Sequence, residues 1–138
     1  MQSCASFLAP KRQKKLTRDE ERNLDIEIGF IEGVVRRDPT YLEALQILGD
    51  NYTRRGRFDE GLKVDEQLVR LRPEDALVHY NLACSFALLK RCDLALKTLR
   101  RAVELGYRDF RYMREDRDLD TIRHDPRFRQ LLREFENR

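Results

Sequence analysis

The sequence has no tryptophan, and only six glycines and four prolines among its 138 residues. So few chain breakers, in a composition that is 38% charged, suit an all-helical protein with large solvated faces. No apolar run approaches the roughly 18 residues that a membrane span requires. Met1–Pro10 lacks a charged start followed by an apolar core, and Phe7-Leu8-Ala9 stands before the basic run rather than after it. No secretory signal is therefore expected.

Reactive residues are also scarce. There are two histidines, His79 and His124, and no Gly-rich phosphate loop, HExxH, GxSxG or CxxC. Cys84 lies five residues from His79, which does not put the two on one helix face. Paired acids are plentiful, but a chain this charged yields them on solvated surfaces. We therefore expect no enzyme, no cofactor and no metal. Cys4, Cys84 and Cys92 are odd in number and have no ligand-like spacing. Free thiols in a helical core imply a reducing compartment, hence the cytoplasm.

Excess charge of one sign is missing too. The formal charge is +3, from 28 basic and 25 acidic residues. Lys11, Arg12, Lys14 and Lys15 account for it, and the rest is close to neutral. The body of the chain thus has no bulk attraction for phosphate backbones, and nucleic acid is a disfavoured partner. Residues 1–16 read as a basic, disordered tail, with association to nucleic acid or an anionic surface as its alternative use.

What is present is a repeat. Shifted by 34 residues, Leu48 falls on Leu82, Gly49 on Ala83, Tyr52 on Phe86, Asp59 on Asp93, Leu62 on Leu96 and Val69 on Val103. Shifted back, Leu62 falls on Ile28, Val69 on Val35 and Pro73 on Pro39. A fixed period of this size means a stack of similar units. Each unit reads as two helices. Leu45, Leu48, Gly49 and Tyr52 share one helical face, and Leu62, Leu68 and Leu71 share the next. Gly49, Gly61, Ala83, Ala95 and Ala102 stand where two helix backbones must approach closely.

On these residues the unit resembles a tetratricopeptide repeat. Leu48, Gly49, Tyr52, Gly61, Leu68 and Pro73 carry the likeness in one unit, and Leu82, Ala83, Phe86, Ala95 and Ala102 in the next. The sequence departs from the pattern at Asp65, where a large apolar residue is usual, and at Leu68, where alanine is. Tyr107 replaces a proline, while Leu45 and His79 occupy the first-helix tryptophan positions. The resemblance implies an all-α, short right-handed solenoid in a single domain, 17–138. A half repeat (17–39) is followed by repeats 40–73 and 74–107 and a capping segment, 108–138.

The flanks are read from local chemistry. Thr17-Arg18-Asp19-Glu20 is a capping box, opening a long helix over Arg18–Arg37. Gly29 and Gly33 form a GxxxG expected to pack against the next helix. Gly106 suits the positive-φ position after a helix. Past Tyr107 the 34-residue register fades, and two short helical turns are expected. Asp125-Pro126 then starts an amphipathic helix through Phe128, Leu131, Leu132 and Phe135. The phrase from Asp118 to Phe128 is similar to closing segments of bacterial members of the family.

Function follows from the resemblance rather than from a reactive centre. The first helix of each unit lines a concave surface. Its groove positions fall on Glu43, Gln46, Ile47, Asp50 and Thr53, then on Leu77, Tyr80, Asn81, Cys84 and Leu88. Tyr80 and Asn81 are expected to hold a peptide backbone, with Tyr80 as a flat contact. Chaperone adaptors of the family grip a terminal carboxylate with lysines, asparagines and an arginine. Only Asn81 fits that clamp, while Glu43 and Asp50 would repel a carboxylate. The expected role is a protein–protein adaptor holding a peptide or helix. The alternative is a homo-oligomer joined through the Arg18–Arg37 helix.

Overall fold

The computed structural model describes residues 15–138. Helix α1 (Arg18–Arg37) opens on the expected capping box: Thr17 N–H donates to Glu20 Oε2 at 2.9 Å, and Glu20 N–H to Thr17 Oγ1 at 3.2 Å. Asp19, Glu20 and Glu21 in the first turn and Arg36 and Arg37 in the last complement the helix dipole. Further helices and one 3-10 turn follow: α2 (Leu42–Arg55), α3 (Phe58–Leu71), α4 (Ala76–Leu88), α5 (Cys92–Glu104), α6 (Phe110–Glu115), the turn Arg117–Leu119, and α7 (Pro126–Glu136). Among the described residues there is no strand, and no helix is long and apolar enough to cross a membrane.

Successive helices pack on one another from α1 to α5, and α7 closes on α5, giving a short helical solenoid. One core joins α1, α2 and α3 through Leu24, Ile28, Leu45, Leu48 and Leu68. A larger one joins α4, α5 and the C-terminal segment through Ala83, Leu99, Met113, Ile122 and Phe128. Leu16 packs against the first core, so the folded part begins one residue before the expected boundary. The tail readings otherwise fall on residues 1–14, outside the described part, apart from exposed Lys15.

The small residues act as expected within the first unit. A Cβ on Gly61 would stand 3.2 Å from Thr53 Oγ1, and one on Gly49 would stand 3.3 Å from Val64 Cγ1 and from Asp65 Oδ1. α1 is different. A Cβ on Gly29 would meet nothing within 4 Å, and one on Gly33 only the Arg36 guanidinium at 3.8 Å. The GxxxG therefore does not pack against α2. It lies beside Ile26 and Phe30, which are 65% and 71% exposed.

The register does not fade beyond Tyr107. α2, α4 and α6 begin at residues 42, 76 and 110, and α3, α5 and α7 at 58, 92 and 126. Both series advance by the 34-residue period. The N-cap aspartate Asp75 of α4 recurs as Asp109 of α6, accepting from Tyr112 N–H at 3.0 Å. What is lost is the length of the third first-helix. Asp116 and Asp120 take the places of Leu82 and Phe86. Asp116 leaves the helical conformation at ψ 115° and caps the 3-10 turn instead. Arg123 fastens that corner by donating to the carbonyls of Met113 (3.1 Å), Arg114 and Asp116, and to Asp120 Oδ1 (2.7 Å). Gly106 has the expected positive φ, 118°.

Candidate functional site

α2 and α4 are corresponding first helices of successive units, and a hollow of about 110 Å³ lies between them. α2 contributes Gln46, Asp50 and Thr53 to its wall, and α4 contributes Leu77, Asn81, Cys84 and Leu88. Seven of the ten groove positions expected from the sequence are thereby brought together. Glu43 and Ile47 are exposed on α2 outside the hollow.

Tyr80 is the correction. It is only 2% exposed, so it offers no surface to a peptide. Its ring stacks on Tyr107 with centroids 4.2 Å apart and planes 5° from parallel, and Tyr112 tilts against it at 6.3 Å. Its hydroxyl donates to Asp116 Oδ2 at 2.7 Å. The physical reason is the third unit: α6 and the 3-10 turn cover that side of α4, whereas the sequence reading left it open. Burial, with Cys84 and Asp116 adding to it, pushes the Tyr80 phenol far above its ordinary range. Cys84 lies against the same carboxylate, Sγ to Oδ2 at 3.7 Å, and burial likewise pushes its thiol up. Such a thiol stays protonated and unreactive at neutral pH. Cys84 is a free, buried thiol, as expected.

The floor of the hollow was not foreseen. Asp65 reaches it from α3, Ser85 from α4 and Asp118 from the 3-10 turn. Asp65 is 7% exposed, and Ser85 donates its hydroxyl to Oδ2. Burial raises its carboxyl from the ordinary 3.8 to about 6, against the lowering effect of the Ser85 bond and with help from the charge of Asp50. Asp75 closes one end, its carboxylate held by the N–H groups of Leu77 (3.0 Å) and Val78 (3.3 Å). The signal that pointed to Asp65 was its departure from the repeat pattern, a carboxylate where a large apolar residue is usual.

His79 packs as expected. It is buried, and its Nε2 stands 2.8 Å from the Pro73 carbonyl, which can only accept, so Nε2 carries the proton. His124 is exposed. Among the described residues, Cys84, Asp116 and Asp118 have metal-ligand chemistry and ligand atoms within 4.8 Å of one another. Asp116 is already committed to Tyr80, Cys84 and the Asp118 N–H.

No family model matches the sequence. Over 108 residues the chain is 31% identical to a chloroplastic protein of Arabidopsis thaliana, in an alignment covering 76% of this chain and 31% of that protein. Over 62 residues it is 32% identical to the Hsp70-Hsp90 organising protein of Plasmodium falciparum, covering 45% of this chain and 11% of that protein. The chain therefore spans less than a third of the length of either curated relative. Neither organism is a bacterium, so a bacterial source rests on the closing segment alone.

Proposed function

We propose that the protein is a non-catalytic interaction module of tetratricopeptide type, taking an extended peptide or a helix of another protein between α2 and α4. One observation carries this reading: corresponding first helices of two units put Gln46, Asp50, Thr53, Leu77 and Asn81 around one hollow. Side-chain amides beside an apolar wall suit a partner's backbone and its apolar side chains. The Plasmodium relative's name, an organiser of Hsp70 and Hsp90, supports a role in engaging other proteins.

The test is selection from a randomised peptide library on the immobilised protein, followed by titration of the selected peptide into the isotope-labelled chain. Binding should perturb the side-chain amides of Gln46 and Asn81 and weaken in Asn81→Ala. Selected peptides that perturb neither amide place the interaction elsewhere and end this reading.

A second reading, self-association through α1, is favoured by the exposure of Ile26 and Phe30 on its outer face. Light scattering across concentration checks it. A dimer lost in Phe30→Glu supports it, and a monomer throughout removes it.

A further inference from the structure

We propose that the hollow between α2 and α4 is the seat of a cationic side chain, lysine or arginine, supplied by the bound peptide. This deepens the groove reading and rests on it.

The lining holds aspartates from α2 and α3, the cap of α4 and the 3-10 turn, and not one lysine, arginine or histidine. Asp75 is spent on the start of α4, as the helix cap. Asp65 is not spent. Its Oδ2 accepts from Ser85, while Oδ1 has no hydrogen-bond donor and the carboxylate has no cation in reach among the described residues. A carboxylate buried without a countercharge is costly, because the interior solvates it poorly. Asp50 at the mouth adds a second negative charge, and it too forms no ion pair among the described residues. Like charges in a concave site focus a field that draws a cation.

The remaining walls fit the rest of such a side chain. Leu68, Leu77 and Leu88 are apolar and suit the methylene stem of lysine or arginine, whose charged head then lies at Asp65. Gln46 and Asn81 offer amide oxygens to the ammonium or guanidinium hydrogens. Leu77 is 55% exposed, so the stem has a way in from solvent. An acidic terminus, by contrast, would meet Asp50 and Asp65 with no basic side chain in the wall to offset them.

The experiment uses the full chain, isotope-labelled, and three capped peptides, Leu-Lys-Leu and its norleucine and glutamate counterparts. The lysine peptide should move the Gln46 and Asn81 side-chain amides with an affinity about tenfold or more above the norleucine peptide, as expected for a desolvated charge-assisted contact. That difference should vanish in Asp65→Asn, which retains an oxygen for Ser85. Asp50→Asn, on the exposed face of α2, should reduce it and keeps the test valid if Asp65→Asn unfolds. If the norleucine or glutamate peptide binds the same amides as well as the lysine peptide, the cation seat is overturned and the groove reading survives. If none of the three moves either amide, the cation seat falls, while the groove reading is decided by the library-selected peptide. If calcium chloride moves them and the lysine peptide does not, the site takes a metal ion and the proposal is wrong.

Discussion

Tyr80 of α4 lies flat on Tyr107, ring centroids 4.2 Å apart, and donates its hydroxyl proton in a hydrogen bond to Asp116. This contact fixes the third unit onto the second. It converts an expected groove residue into the anchor of the C-terminal segment.

Replacing Tyr80 by phenylalanine leaves the buried Asp116 oxygen with only the weak Cys84 donor. A loss of about 1–3 kcal/mol in unfolding free energy is expected. Tyr107→Ala removes the stack, worth about 0.5–1.5 kcal/mol beyond its buried area. Urea denaturation measures both. A Tyr80→Phe midpoint equal to that of the parent chain would mean that the segment is not anchored there.

Asp65 gives stability a pH dependence of defined sign. Its carboxyl titrates at about 6 in the fold, because burial outweighs the Ser85 bond, and at 3.8 ordinarily. Between those values the folded chain holds a proton that the unfolded chain has released. Its contribution to stability therefore falls as pH rises through that window, by on the order of 3 kcal/mol at most. Glu60 and Asp125, lowered first by their bonds to Arg57 and Arg127, act in the opposite sense and lose stability towards acid. The difference between the parent chain and Asp65→Asn isolates the effect. The variant should gain relative stability as pH rises, and a difference independent of pH would contradict the burial described.

Gly61 sits against Thr53, whose hydroxyl donates to the Gly49 carbonyl at 3.1 Å and is not free to swing aside. Gly61→Val should cost about 1–3 kcal/mol by overpacking the α2–α3 contact. A thermal midpoint no lower than that of the parent chain would show that these helices are further apart than described.

Gly29→Ala should do the reverse. Its Cβ enters open space, so helix propensity gains up to about 1 kcal/mol. A monomeric chain would be stabilised. A substitution that instead weakened a dimer would show that the α1 face is used between copies.

Much of this fold was readable along the chain. The 34-residue period, the capping box at Thr17, the small residues Gly49 and Gly61 and the helix begun at Asp125-Pro126 are local or pairwise signals. They held because helix starts and close backbone approaches depend on nearest neighbours. The third unit was hidden because its register is carried by helix starts and the N-cap Asp109. Its core positions, meanwhile, hold Asp116 and Asp120, which no apolar pattern reveals.

The candidate site divides in the same way. Gln46, Asp50, Thr53, Leu77, Asn81, Cys84 and Leu88 were named from the family resemblance, and these seven line the hollow. Asp65 and Ser85 were not named, because they meet across two helices 20 residues apart in the chain. Tyr80 was misplaced because its exposure depends on what the segment 36 residues later covers.

By itself, the sequence determined that this chain stacks helix pairs every 34 residues. Only the tertiary structure decided which face of α4 stays open and that a buried carboxylate, with no countercharge among the described residues, lies at its foot. Periodicity sets the direction in which each side chain leaves its own helix. What it meets there is fixed by other helices, whose arrival no local spacing encodes.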